Sequence, residues 1–218
     1  MMATLVAANL AVFVLVAEDL LDGGGLISHD EAVLAWFVDH RTDLLVSAAR
    51  FISTVGGFVS LLVFASLGGL WLWRRRVHLG LAMAPLLALL LAGLAATVAK
   101  HLFGRERPPT TVHATTVTLA AFPSGHATDA AAFFLAGSLT LSLTVARRRS
   151  TQALFIGAGL LLAALVGVSR LVLAVHWLSD VVAGWALGSS IAITVVAILW
   201  YFVAPSPPSR SGESQPPQ

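Results

Sequence analysis

The stretch Ser169-Arg170-Leu171-Val172-Leu173-Ala174-Val175-His176-Trp177-Leu178-Ser179-Asp180 sets an arginine, a histidine and an aspartate into the most apolar part of a very apolar chain. Ionisable groups inside a membrane-embedded segment are costly, so they call for a partner and a task. His176 and Asp180 are four residues apart and share a face if the segment is helical. The carboxylate can then accept the N–H of one ring nitrogen and hold the other outward as a free lone pair. That is a nucleophile with its orienter, imidazole being the attacking group. Taken alone, the pair reads more readily as a structural cap with Arg170 snorkelling.

Two further polar islands supply what such a nucleophile would act on. Lys100-His101-Leu102-Phe103-Gly104-Arg105-Glu106-Arg107-Pro108 contains the only lysine of the chain. A planar guanidinium fork and an ammonium point charge together suit several phosphate oxygens, so Lys100 and Arg107 read as an anion clamp. As a bare basic flank they would only anchor a helix end, and His101 and Arg105 read equally as flanking charge. The other island, Pro123-Ser124-Gly125-His126, precedes an apolar run. Proline stiffens the turn, Ser124 is a good N-cap, and Gly125 lets backbone approach a ligand. Free N–H groups at the helix start then face an anion, with the His126 imidazole beside it. Asp129 follows one turn on.

These islands need apolar elements to position them. Of 218 residues, 57% are hydrophobic and 11% charged, where a soluble domain has about 25% charged residues. The chain is therefore expected to be an all-α integral membrane protein. It has no cysteine, which excludes disulfides and thiolate metal sites, and a net charge of only +2, which argues against nucleic-acid binding.

Residues 1–17 lack a positive leader region and a clear Ala-x-Ala site, so they read as a first membrane helix, broken by Asp22-Gly23-Gly24-Gly25. Residues 28–50 mix charges with Val33, Leu34, Trp36, Phe37, Leu44 and Leu45, the pattern of an interfacial amphipathic helix or pair of helices. Uncharged or nearly uncharged spans are expected over Phe51–Trp73, Val77–Ala99, His126–Ala146, Gln152–Val168 and Leu178–Val203. The layout is one membrane domain, 1–203, of six helices in a bundle, followed by a Pro/Ser-rich tail, 204–218, with the composition of a disordered segment. Arg74-Arg75-Arg76 and Arg147-Arg148-Arg149 fall on one side, which the positive-inside rule assigns to the cytoplasm together with both termini. All three islands then fall on the extracytoplasmic face. Outside the tail, Lys and Arg number six on each side, but Arg41 and Arg50 share a segment with seven acids between Glu18 and Asp43, and the other four outer cations have a chemical reason to be there. Small residues stripe several spans, and Gly184-x-x-x-Gly188 reads as close helix approach in one bundle rather than as a dimer motif.

The series Lys100…Arg107-Pro108, Pro123-Ser124-Gly125-His126 and Ser169-Arg170…His176…Asp180 resembles the signature of the type 2 phosphatidic acid phosphatase (PAP2) superfamily, with every signature position filled. The resemblance implies Lys100, Arg107, Ser124, Gly125 and Arg170 as phosphate ligands, His176 as nucleophile, Asp180 as its orienter and His126 as general acid. It implies no cofactor and no metal, which a mostly cationic set of residues also favours. The implied activity is hydrolysis of a lipid phosphate or diphosphate through a phosphohistidine, with polyprenyl diphosphate first among substrates. Phosphatidylglycerophosphate or phosphatidate hydrolysis, or phosphoryl transfer to an acceptor alcohol, stands as the alternative, and a non-catalytic membrane protein stands last. Expected partners are the lipid substrate and membrane lipids, with the chain a monomer or a homodimer in the cell membrane. Residues 28–50 and 109–122 are expected to line or cover the entrance.

Overall fold

With no water in a bilayer core to satisfy backbone polar groups, the long apolar runs must close their hydrogen bonds internally, as helices. The computed structural model describes residues 2–203, so the expected tail, 204–218, lies outside the described residues. In chain order the helices are α1 (Met2–Asp22), α2 (Asp30–His40), α3 (Asp43–Val55), α4 (Phe58–Arg74), the single turn α5 (Leu79–Ala82), α6 (Ala84–Phe103), α7 (Gly125–Thr144), α8 (Arg149–Val172) and α9 (Leu178–Val203). Among the described residues there is no strand. Helices α1, α6, α7, α8 and α9 are each long and apolar enough to cross a membrane, and α3 with α4 makes a sixth span if the bent pair counts as one. The fold is thus the expected all-α membrane bundle.

The expected uninterrupted span Phe51–Trp73 is not what forms. Helix α3 runs on to Val55, the chain breaks at Gly56-Gly57, and α4 leaves at 51° to α3. The two glycines explain the break. A side chain at Gly56 would run into Val166, and Gly57 is extended (φ −77°, ψ 156°) as the cap of α4. Residues 28–50 do fall on a pair of helices, α2 and α3, and α3 continues beyond that segment to Val55. The connection after α6 starts at Gly104, whose left-handed φ of +57° closes the helix with an N–H bond to the Lys100 carbonyl.

Helix α7 is the centre of the bundle, with α6, α8 and α9 packed around it. Apolar burial gives helices little reason to associate within lipid, so close packing of small residues holds them together. The facing surfaces fit that rule: Ala127, Ala130, Ala131, Ala132 and Ala136 of α7 are buried. A Cβ at Gly184 would lie 2.8 Å from the Ser124 carbonyl and 2.9 Å from Ala127 Cβ, and one at Gly188 would overlap the Thr128 carbonyl. The Gly-x-x-x-Gly stripe therefore seats α9 on α7 within one chain. At the other side, α1 packs on α9, and Val16, Ala183 and Phe122 bury one another. Phe122 is fully enclosed and also stacks edge-on with Phe103 at 5.0 Å, which fixes the turn that enters α7.

Candidate active site

Two connections meet at one end of the bundle: Gly104–Ser124, between α6 and α7, and Leu173–Trp177, between α8 and α9. Backbone bonds stitch them together, Ser124 N–H to the Asp180 carbonyl at 2.9 Å and Ala114 N–H to the Leu173 carbonyl at 3.0 Å. Helix α8 ends in a Schellman-type turn. Val175 N–H returns to the Arg170 carbonyl, Ala174 N–H to that of Leu171, and Ala174 takes the left-handed position with φ +54°. This turn reverses the chain and delivers His176.

His176 precedes α9 instead of lying on it, so the shared helix face is not what pairs it with Asp180. Asp180 folds back over the helix start. Its Oδ2 accepts the Trp177 N–H at 3.0 Å and faces His176 Nδ1 at 3.2 Å. Its Oδ1 accepts from Arg105 Nη1 at 2.6 Å. His176 Nε2 faces Arg107 Nη1 at 3.0 Å. A proton on Nδ1 satisfies both contacts, leaving the Nε2 lone pair toward Arg107. Burial, then the charges of Arg107, Lys100 and Arg170, hold the His176 imidazole well below the usual histidine range, so it is the neutral base.

Arg105, which the sequence leaves open as a member of the clamp or as flanking charge, proves to be a buried bridge. Its Nη2 meets Asp30 Oδ2 at 2.7 Å, and Asp30 Oδ1 accepts the Ser179 N–H at 2.9 Å. Asp30 stands at the start of α2, 150 residues from Asp180, and its sequence surroundings give no hint of the pairing. Ser53, in the last turn of α3, is another residue the sequence did not single out. Its hydroxyl accepts from Arg170 Nη1, which pins the α3–α4 break to the site.

The expected phosphate ligands do converge. Lys100, Arg107, Gly125, His126, Arg170 and His176 all line one cavity of about 520 Å³, within the range of small-ligand sites. Their present partners differ. Lys100 Nζ donates to the carbonyls of Ala120 (2.6 Å), Ala121 (3.2 Å) and Pro123 (2.7 Å), which uses all three of its donors. Arg107 donates to the Leu119 and Val175 carbonyls, each at 2.6 Å. Burial lowers the pKa of its guanidinium and the Asp180 charge raises it. Arg170 Nε and Ser124 Oγ are buried with no hydrogen-bond partner. Ser124 does occupy the cap position of α7, but its hydroxyl makes no capping bond and is left free. His101 is exposed and stays outside the cavity. His126 lies against the break before α4, where a Cβ on Gly57 would be 3.6 Å from its Nε2.

Val117, Thr118 and Leu119 also line the cavity, as expected for the loop 109–122, and Phe58, Leu94, Ala96 and Asp129 are part of its lining as well. Residues 28–50 contribute Asp30 to the network behind the site rather than a lining. Among the described residues no three His, Asp or Glu side chains come together as metal ligands would.

The model of the PAP2 superfamily matches residues 81–204. A curated relative, an undecaprenyl-diphosphatase of Sulfolobus acidocaldarius, is 33% identical over 129 residues, 57% of this chain and 56% of that protein, so the match spans about half of the relative's length. The crystal structure of a transmembrane PAP2-type phosphatidylglycerolphosphate phosphatase from Bacillus subtilis superposes with a TM-score of 0.79 at 23% identity, covering 87% of this chain and 94% of that one. LpxE of Aquifex aeolicus superposes with a TM-score of 0.57 at 19% identity, over 77% and 94% of the two chains.

Proposed function

The chain belongs to the PAP2 superfamily, and from that premise we propose that it is a membrane lipid phosphatase working through a phosphohistidine. One observation carries the reading. Lys100, Arg107 and Arg170 converge with two histidines on one cavity, and among the described residues none of these three cations has a carboxylate salt-bridge partner. Three cations against one carboxyl group, Asp129, leave the cavity net positive and suited to an anion, and Arg170 Nε and Ser124 Oγ–H are donors that a phosphate would satisfy.

In the first step, phosphate oxygens draw the Arg107 fork away from His176 Nε2 and free its lone pair. Nε2 attacks phosphorus, the ester P–O bond breaks, and His126 gives its proton to the leaving oxygen. In the second, His126 takes a proton from water, whose oxygen attacks phosphorus. The N–P bond breaks and inorganic phosphate leaves. Arg107, Arg170 and the helix start at Gly125 stabilise charge on the equatorial oxygens. Lys100 holds the turn 119–123 in place and adds its charge, and it touches phosphate directly only by exchanging one carbonyl. No step calls for a metal.

Among substrates, a phosphatidylglycerophosphate-type monoester now stands ahead of polyprenyl diphosphate. The Bacillus subtilis phosphatase shares the fold over 94% of its own chain, while the undecaprenyl-diphosphatase match covers 56% of that protein. The diphosphate reading is kept as second because that relative has the higher identity, 33%. Purified protein in mixed micelles should release phosphate from phosphatidylglycerophosphate with EDTA present and no acceptor alcohol, and vanadate should inhibit it. Release only with an acceptor would make it a phosphotransferase. Loss of activity in EDTA would overturn the metal-free mechanism.

The arginine runs 74–76 and 147–149 lie at the end of the bundle opposite the cavity. With that end cytoplasmic, the active site opens on the extracytoplasmic face of the cell membrane.

A further inference from the structure

Three of the buried polar atoms without a partner belong to residues at this site, and they do not all ask for the same ligand. Arg170 Nε and Ser124 Oγ–H are donors, which a phosphate satisfies. Asp129 Oδ1 is a carboxyl oxygen, and a fully ionised phosphate ester has no hydrogen to give it. Asp129 is 7% exposed, lines the same cavity, and sits three residues after His126 on the same face of α7, an axial rise of about 4.5 Å. Opposite it, Gly93 brings α6 close to Asp129 and Phe58. A Cβ there would lie 3.7 Å from Asp129 Oδ1 and 2.9 Å from the Phe58 ring. From its loop end inward the cavity thus presents cations, then a carboxyl group, with Phe58, Leu94 and Ala96 also in its lining.

We propose that Asp129 reads the headgroup, forming a hydrogen bond with a hydroxyl of the leaving alcohol, so that the site selects lipid phosphate monoesters with a polyol headgroup over phosphorylated polyprenols. The inference rests on the lipid phosphatase reading and names its substrate class. With phosphate among the cations and His126 on the ester oxygen, the next atoms of the alcohol fall one turn deeper, beside Asp129. A hydroxyl both donates and accepts, so it suits the side chain in either protonation state. A prenyl monophosphate offers neither and would press hydrocarbon against an unsatisfied carboxyl group, and a prenyl diphosphate would set the oxygens of its second, anionic phosphate against it.

The test compares phosphatidylglycerophosphate, the analogue lacking only the free hydroxyl of its phosphorylated glycerol, and farnesyl phosphate, on the full-length protein in micelles. The wild type should show kcat/KM roughly ten- to hundredfold higher for the hydroxylated substrate than for its deoxy analogue, the usual range for a hydrogen bond to a charged group. Asp129→Leu should bring that ratio close to one, and Asp129→Asn, which keeps an acceptor, should retain part of it. A wild-type ratio of one overturns the proposal while leaving the phosphatase reading standing, and needs no variant to fold. An equal loss on all three substrates in Asp129→Leu also overturns it, since the carboxyl group would then serve the phosphate or the fold. No hydrolysis of any lipid phosphate by the wild type removes the phosphatase reading, and this inference with it.

Discussion

His176 attacks only as a free base, and its surroundings are arranged to keep it one. Burial and three nearby cations hold its pKa well below the ordinary histidine value, about 6.5. A base in this state is neutral above its lowered pKa and lost only as pH falls through it, so the acid limb of kcat set by His176 should lie well below the ordinary histidine range. Arg107→Gln removes a lowering charge and should move that limb to higher pH, read from a pH–rate profile of the residual activity. His126 must carry a proton in the complex with a phosphate dianion, so loss of that proton from the complex should set the alkaline limb of kcat. A rate that does not fall on the alkaline side up to about pH 9 would count against the role of His126. His176→Ala and His126→Ala should each lose activity while keeping the wild-type melting profile. Asp180→Asn should lower kcat by up to about 10⁴-fold, the scale seen when a catalytic histidine loses its carboxylate orienter. Arg105 acts one residue further back, through the second oxygen of Asp180. Arg105→Gln should therefore reduce kcat roughly ten- to hundredfold with KM little changed, and Arg105→Lys should restore part of the loss.

At the scale of elements, the site depends on helices that supply none of the expected signature residues. Helix α2 is locked to the catalytic turn by Asp30, which is 3% exposed and holds Arg105 and Ser179 together. Breaking a buried ion pair from one side leaves an uncompensated charge, so Asp30→Asn should cost on the order of 3 kcal/mol of stability. Thermal unfolding in detergent should show the lower midpoint, with a fall in kcat beside it. Helix α9 meets α7 through backbone, not through adjustable side chains. Gly188→Leu would drive its side chain into the Thr128 carbonyl and Ala131, costing roughly 1–3 kcal/mol or more. Unchanged thermal stability in that variant would mean that α7 and α9 do not pack as described.

For the whole molecule, sidedness decides which pool of lipid the enzyme meets. The chain has no cysteine, so single thiols can be introduced against a clean background. In intact cells a membrane-impermeant maleimide should label Thr111→Cys in the loop over the cavity. It should leave Arg76→Cys and Arg148→Cys unlabelled until the membrane is opened. The reverse pattern would place the site on the cytoplasmic face.

The sequence by itself determined the class of the fold, because bilayer thickness and backbone satisfaction leave a long uncharged run no other form. It also determined the ingredients of the site. A lone lysine, a Pro-Ser-Gly-His turn and an Arg…His…Asp series are local patterns, and helices that alternate in direction bring their ends together without fine geometry. What only the tertiary structure decided is how those groups are held. Asp30 is one acid among several in the amphipathic segment and Ser53 a small polar residue in the expected span Phe51–Trp73, and neither stands out until the bundle sets them against Arg105 and Arg170. The break at Gly56-Gly57 is hidden because hydropathy averages over both glycines, whereas Val166 must fit against one of them. The Gly184–Gly188 stripe reads alike for a dimer and for intrachain packing, and only the position of α7 decides between them. Asp129 stood one turn beyond His126 from the start. That its carboxyl group lies buried, unpaired and within a cation-lined cavity is a fact of packing, which no spacing along the chain encodes.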